Sequence, residues 1–379
     1  MERRAREAPP YIDTLLREKR VVVCCGAGGV GKTTTAAALG VAAARGGKRV
    51  LVLTIDPARR LSEAMGIPES GPEPARVPHI DPPGTLDAWM LDPRVVFEGM
   101  VRRLTDDPER IARILDNRLY RTLSDLVSGM QEYTAAEALF SFVESKKWDL
   151  VVLDTPPSRN ALEFLEAPRK LSLFLDERIV GVFMPDGGRG FFARQARQVV
   201  SSVFQRVFGE GFFDELQEFI GAFSGMFVAM RGHADAVRSL LTSDEASFIV
   251  VTSPEPSALE EGRFLEAQLR DMGLPVGGYV LNRSWAYTRG FGDPESIVLP
   301  ADATRQLKSG MRKLAVLADH ERKLAARDRA LVNELAERSG NAHATPHLGA
   351  AIEDFSGLVV LADSFLTREP APDSSATVV

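Results

Sequence analysis

VVVCCGAGGVGKT, Val21 to Thr33, decides the fold. Val21–Cys25 is an unbroken apolar run, as expected of a strand buried on both faces. Gly26–Thr33 spells G-x-x-x-x-G-K-T, and the alanine-rich stretch Thr34–Arg45 that follows is a helix stopped by Gly46 and Gly47. Strand, glycine-rich loop and helix in that order make a phosphate-binding loop. The glycines let consecutive backbone N–H groups turn inward around phosphate oxygens, where a Cβ would obstruct the approach. Gly28, Gly29, Val30, Gly31 and Thr34 belong to this cradle. Lys32 reaches the β- and γ-phosphates, Thr33 offers a hydroxyl to Mg²⁺, and the helix turns its positive end toward the anion.

Outward from the loop, Arg49–Ile55 reads as a second strand, ending at Asp56-Pro57-Ala58-Arg59-Arg60-Leu61. A carboxylate just past a strand's C-terminal end lies where open α/β sheets take their ligands. Residues 67–84 hold six prolines and read as a surface loop. A strand over Leu86–Leu91 gives way to helical segments up to Lys147. Trp148–Asp154 is an apolar run closing on an acid, a Walker B pattern. From Leu171 to Leu241 the pattern is helical, and Phe212, Leu216, Phe219, Phe223, Met226 and Met230 form an apolar stripe. Strands return at Phe248–Thr252 and Val276–Leu281 around a helix over Ala258–Met272. A charged helical stretch over 301–339, a loop over His343–Gly349 and a helix over Ala350–Leu366 complete the pattern.

This alternation predicts an α/β fold with a doubly wound, mainly parallel sheet and an inserted α-helical subdomain. The core is expected over about 20–92, 148–170, 246–299 and 343–366, the subdomain over about 93–147 and 171–245, with disordered tails at 1–10 and 367–379.

Across 379 residues, 45% are hydrophobic and 26% charged, with a net charge of −6, so a large core is affordable and no basic footprint for nucleic acid exists. Neither a signal peptide nor a membrane-spanning run is visible, which makes the cytoplasm the default location. Cys24 and Cys25 are adjacent in the predicted central strand and read as core. With no C-x-x-C pair, and no ligand spacing among His79, His233, His320, His343 and His347, structural zinc is not expected.

Taken together, GAGGVGKTTTAAALG, LTIDPARRLSEAMG, VVLDTPPSRNALEFL, TSPEPSALEE and VLNR resemble the ATPase family that contains the arsenite-pump subunit ArsA and the targeting factors for tail-anchored membrane proteins. The resemblance covers most of residues 20–299 and the loop near 346. It implies ATP and Mg²⁺ as ligands, Asp56 orienting the attacking water, and Thr33 and, through water, Asp154 holding the metal. Asn282 matches an adenine-recognising asparagine, and Pro346 matches a loop that packs on the base. A dimer is implied, of identical chains or with a related ATPase subunit, coupling hydrolysis to anion or metalloid transport or to a hydrophobic client or membrane-protein partner.

Family members carry a further lysine in KGGVGKT that contacts nucleotide across the subunit interface; the matching position here is Ala27. Arg59, Arg60 and Arg159 are candidates to replace that charge, and so is a cation from a non-identical partner. The zinc-binding cysteine pair of the targeting factors and the cysteine triad of the arsenite pump are also missing.

Overall fold

The computed structural model describes residues 11–55, 60–68, 71, 73–105, 107–115, 128–156, 227–286, 297–300, 302–349, 352 and 354–366. Its strands are β1 (Val21–Gly26), β2 (Arg49–Thr54), β3 (Ala75–Arg76), β4 (Thr85–Met90), β5 (Leu150–Asp154), β6 (Ala246–Thr252), β7 (Val276–Ser284) and β8 (Ala342–Pro346). They form one eight-stranded sheet in the order β3-β4-β2-β5-β1-β6-β7-β8. Every pairing is parallel except the short antiparallel contact of β3 with β4.

The period of two along each strand divides the core between the two faces. Val22, Cys24, Val50, Val52, Val152, Ile249 and Val251 point to one face, which is covered by α1 (Tyr11–Glu18), α2 (Lys32–Arg45) and α10 (Phe355–Leu366). Val21, Val23, Cys25, Leu51, Leu53, Val151, Leu153 and Phe248 point to the other. That face carries α4 (Pro93–Leu104), α6 (Ser128–Glu144), α7 (Phe227–Thr242), α8 (Pro256–Asp271) and α9 (Arg305–Ser339). The shorter α3 (Arg60–Met65) and α5 (Pro108–Leu115) follow β2 and α4 in the chain. Because both faces are covered, the strands read as continuous apolar runs rather than alternating ones.

The alanine content of α2 has a packing cause. At Gly40 a Cβ would stand 2.4 Å from Val52 Cγ2, so this helix lies closer to the sheet than larger side chains permit. Its position fixes the site, because its first turn is the end of the phosphate loop.

Three local expectations are corrected. Residues 343–349 do not form a loop throughout, since Ala342–Pro346 is the edge strand β8, paired with β7. The final helix begins at Phe355 rather than Ala350. Within the proline-rich stretch, Ala75–Arg76 adds a two-residue strand. Tyr11–Glu18, for which no element was expected, is a helix whose Ile12, Leu15 and Leu16 join the core. The apolar stripe at 212–226 lies outside the described residues.

Candidate functional site

β1 and β5 are neighbours, and the chain leaves them in opposite directions along the sheet, from β1 to β2 and from β5 to β6. The crevice beyond the C-terminal ends of these strands is the topological switch point of an open α/β sheet. The phosphate loop fills its floor. Gly29 and Gly31 hold φ of +78° and +91°, the left-handed region that favours glycine. Gly28 is different: it lies outside that region, and a Cβ built on it meets nothing within 4 Å. Neither conformation nor any neighbour among the described residues requires glycine there, so the space its missing side chain leaves fits an anion held against the backbone.

At the loop's exit Thr33 Oγ1 donates to Asp154 Oδ2 at 2.7 Å, and Thr54 Oγ1 donates to the same oxygen at 2.9 Å. Asp154 is fully buried at the end of β5, in register with Thr54 on β2 and Cys24 on β1. A hydroxyl and a carboxylate side by side are hard oxygen donors, which suit Mg²⁺. Lys32 is 7% exposed, and its Nζ donates to Ala27 O at 2.8 Å, so the amine lies against the loop backbone. Thr155 Oγ1 donates to Cys24 O at 2.8 Å and ties the end of β5 back to β1.

Asn282, 6% exposed near the end of β7, reaches under the loop. Its Nδ2 donates to Val30 O at 2.8 Å, and its Oδ1 accepts from Thr345 Oγ1 at 2.6 Å. Pro346, at the end of β8, pairs with Ser284. Thus the structure brings together Gly28–Thr34, Asp154 and Asn282, while Pro346 is placed only beside Ser284 in the β7–β8 ladder. Asp56, Arg59 and Arg159 lie outside the described residues, and so does the side chain of Arg60.

Sequence reading missed Thr54, a polar residue closing the buried strand β2 as Asp154 closes β5, and Thr345, whose edge strand reads as a loop and gives no such signal. It also missed a pocket of about 210 Å³ on the loop's flank, lined by Ala27–Val30, by Ser253, Glu255, Ser257 and Glu261 around the start of α8, and by Arg283.

Both thiols are inert. Burial pushes Cys24 well above the usual thiol range, with the Asp154 carboxylate adding to it, and burial lifts Cys25 to about 12. Among the described residues no cluster of three or more His, Cys, Asp or Glu could hold a metal ion, and no helix is long and apolar enough to cross a membrane.

The model of the anion-transporting ATPase family, the ArsA ATPases, matches residues 19–288. The chain belongs to this family. An ArsA-family ATPase is an ATP hydrolase, and the matched region contains the phosphate loop, Asp154 and Asn282. Among curated relatives, ATPase ASNA1 homolog 1 of Paramecium tetraurelia is 26% identical over 258 residues, covering 65% of this chain and 69% of that protein. ATPase GET3B of Arabidopsis thaliana is 27% identical over 261 residues, 65% of this chain and 59% of the relative. A putative arsenical pump-driving ATPase of Aquifex aeolicus is 24% identical over 249 residues, 64% of this chain and 58% of the relative. The chain thus spans less than two thirds of the last two.

Proposed function

We propose that this ArsA-family ATPase is a Mg²⁺-dependent, nucleotide-switched dimer that couples ATP hydrolysis to the handling of a hydrophobic client. The observation that carries the Mg²⁺-ATP part is the contact of Thr33 with Asp154 at the exit of the loop. In this reading the loop amides and Lys32 bind the phosphates, and Thr33 and Asp154 hold the metal. When bound, the metal neutralises charge on the phosphate oxygens. Asp56, two positions past β2 in the sequence, orients the attacking water. Asn282 holds the loop through Val30, and its remaining amide hydrogen and lone pair serve base recognition beside Pro346. The reading places the chain in the cytoplasm, where its substrate is.

Between the two family roles, the cysteines favour a hydrophobic client. Thiophilic metalloids need accessible thiolates. The chain has two cysteines, both buried with raised pKa. Supporting the client reading is the apolar stripe between Phe212 and Met230. One observation favours a second reading: Ala27 leaves the loop one lysine poorer than its family pattern. A chain with weak turnover that depends on a related partner subunit would carry such a change.

Steady-state ATP turnover of the purified chain beside Asp56→Asn and Asp154→Asn, with oligomeric state recorded on the same samples, tests both readings. We expect turnover that falls by a factor of about 100 or more in each variant. Tight ATP binding without wild-type turnover would select the partner-dependent subunit. An apolar fluorescent probe should bind the chain more strongly with Mg²⁺-ATP than without it; equal binding would refute a nucleotide-gated client surface.

A further inference from the structure

Where β7 meets β8 the register slips: Leu281 pairs with Ala344, and Ser284 with Pro346, so Asn282 and Arg283 together oppose Thr345. An extra residue in a ladder bends the strand and re-aims a side chain. Here the consequence falls on three neighbours. Asn282 turns inward to Val30 and Thr345, and Ser284 turns inward to Asp328, whose Oδ2 accepts its hydroxyl at 3.2 Å. Arg283 between them is left exposed, with φ of +57° in the region where glycine or asparagine is the ordinary occupant. The bulge thus holds a non-glycine residue in that conformation beside the ligand loop.

Arg283 lines the same small pocket as Ala27, Gly28, Gly29 and Val30. Among the described residues its guanidinium has no hydrogen-bond or ion-pair partner. Lys32, by contrast, is buried against Ala27 O, and Ala27 contributes no charge. A triphosphate on this loop carries more negative charge than one lysine balances, and a planar guanidinium matches phosphate oxygens with paired donors. We propose that Arg283 is a second cation for the phosphate chain bound by the loop, an assignment that rests on the ATP-site reading above.

Glu255 and Glu261 line the pocket too, so the rival role for Arg283 is that of a counter-charge to these carboxylates. The two roles separate by titration calorimetry on the full chain with Mg²⁺ and ATP, ADP or AMP. Arg283→Gly removes the charge and also suits the left-handed backbone, so the nucleotide-free fold is expected to melt no lower than wild type. ATP affinity should drop by about ten- to a hundredfold, the size of one charge-assisted contact. ADP should lose less, AMP should be unchanged, and Arg283→Lys should recover part of the loss. Equal losses for the three nucleotides, no loss at all, or restoration of ATP affinity by adding Glu255→Gln would each overturn the assignment. Lys32→Ala keeps the two readings apart. If ATP binding needs Lys32 but ignores Arg283→Gly, only this assignment fails; if wild type binds no ATP, the site reading fails with it.

Discussion

Two glycines of the phosphate loop are glycine for opposite reasons, and the difference can be measured. Gly31 is required by the protein: its φ is +91°, and a Cβ would stand 2.2 Å from Asn282 Nδ2, pushing that side chain off Val30. Gly28 meets no such demand among the described residues, where its Cβ would find nothing within 4 Å, and the proposed anion is the reason offered for it. Gly31→Ala is therefore expected to destabilise the nucleotide-free fold by about 2 kcal/mol, combining left-handed strain with a lost buried hydrogen bond. Gly28→Ala should change that stability by less than about 0.5 kcal/mol while removing most ATP affinity. Thermal unfolding without ligand and an ATP titration on both variants decide it. Equal melting losses would show that Gly28 also serves the fold rather than the anion.

At the level of elements, the last strand carries a pH dependence. His343 on β8 is buried against Phe365 of α10, and burial lowers its pKa to about 4. An unfolded histidine takes up its proton near 6.5, so stability is complete above that value and declines as pH falls from 6.5 toward 4. From about pH 7.5 to about pH 5 the loss amounts to roughly 2 kcal/mol. Glu266 acts in a lower window. Burial pushes its carboxyl up, but hydrogen bonds from Arg338, Tyr279 and Arg270 outweigh that and hold it below the ordinary glutamate range. The stability it contributes is present above about 4.5 and is lost below. Denaturant melts across this range should show both declines, and His343→Gln should abolish the upper one alone. The same strand shows what the sequence hides. Runs such as Val21–Cys25 and Leu150–Asp154 are legible because burial on both faces leaves an unmistakable apolar string. Ala342–Pro346 lies at the sheet edge and holds a histidine and a terminal proline, so its local pattern resembles a turn. The site divides along the same line. Gly28–Thr33 and Asp154 announce themselves within a few residues, while the approach of Arg283 to the loop depends on a register slip between strands some sixty positions apart in the chain.

For the whole molecule, what matters is how many elements meet at the loop. Thr33 ties it to β5 through Asp154, and Thr54 joins β2 to the same carboxylate. Asn282 ties it to β7, and Thr345 extends that link to β8. A ligand that orders this loop is therefore coupled to strands on both sides of the sheet, and its binding energy should appear as global stability rather than as local ordering. At ATP concentrations about 100 times the dissociation constant, linkage gives roughly 2.7 kcal/mol. For a chain of this size that corresponds to a rise of about 3 °C in melting midpoint. AMP, which offers the loop no β- or γ-phosphate, should give little. Lys32→Ala should remove most of the ATP effect. Chelating Mg²⁺ should reduce it in wild type but not in Asp154→Asn, because the metal's contribution passes through that carboxylate. If chelation lowers the midpoint equally in both proteins, Asp154 is a structural acceptor for Thr33 and Thr54 and the metal is held elsewhere.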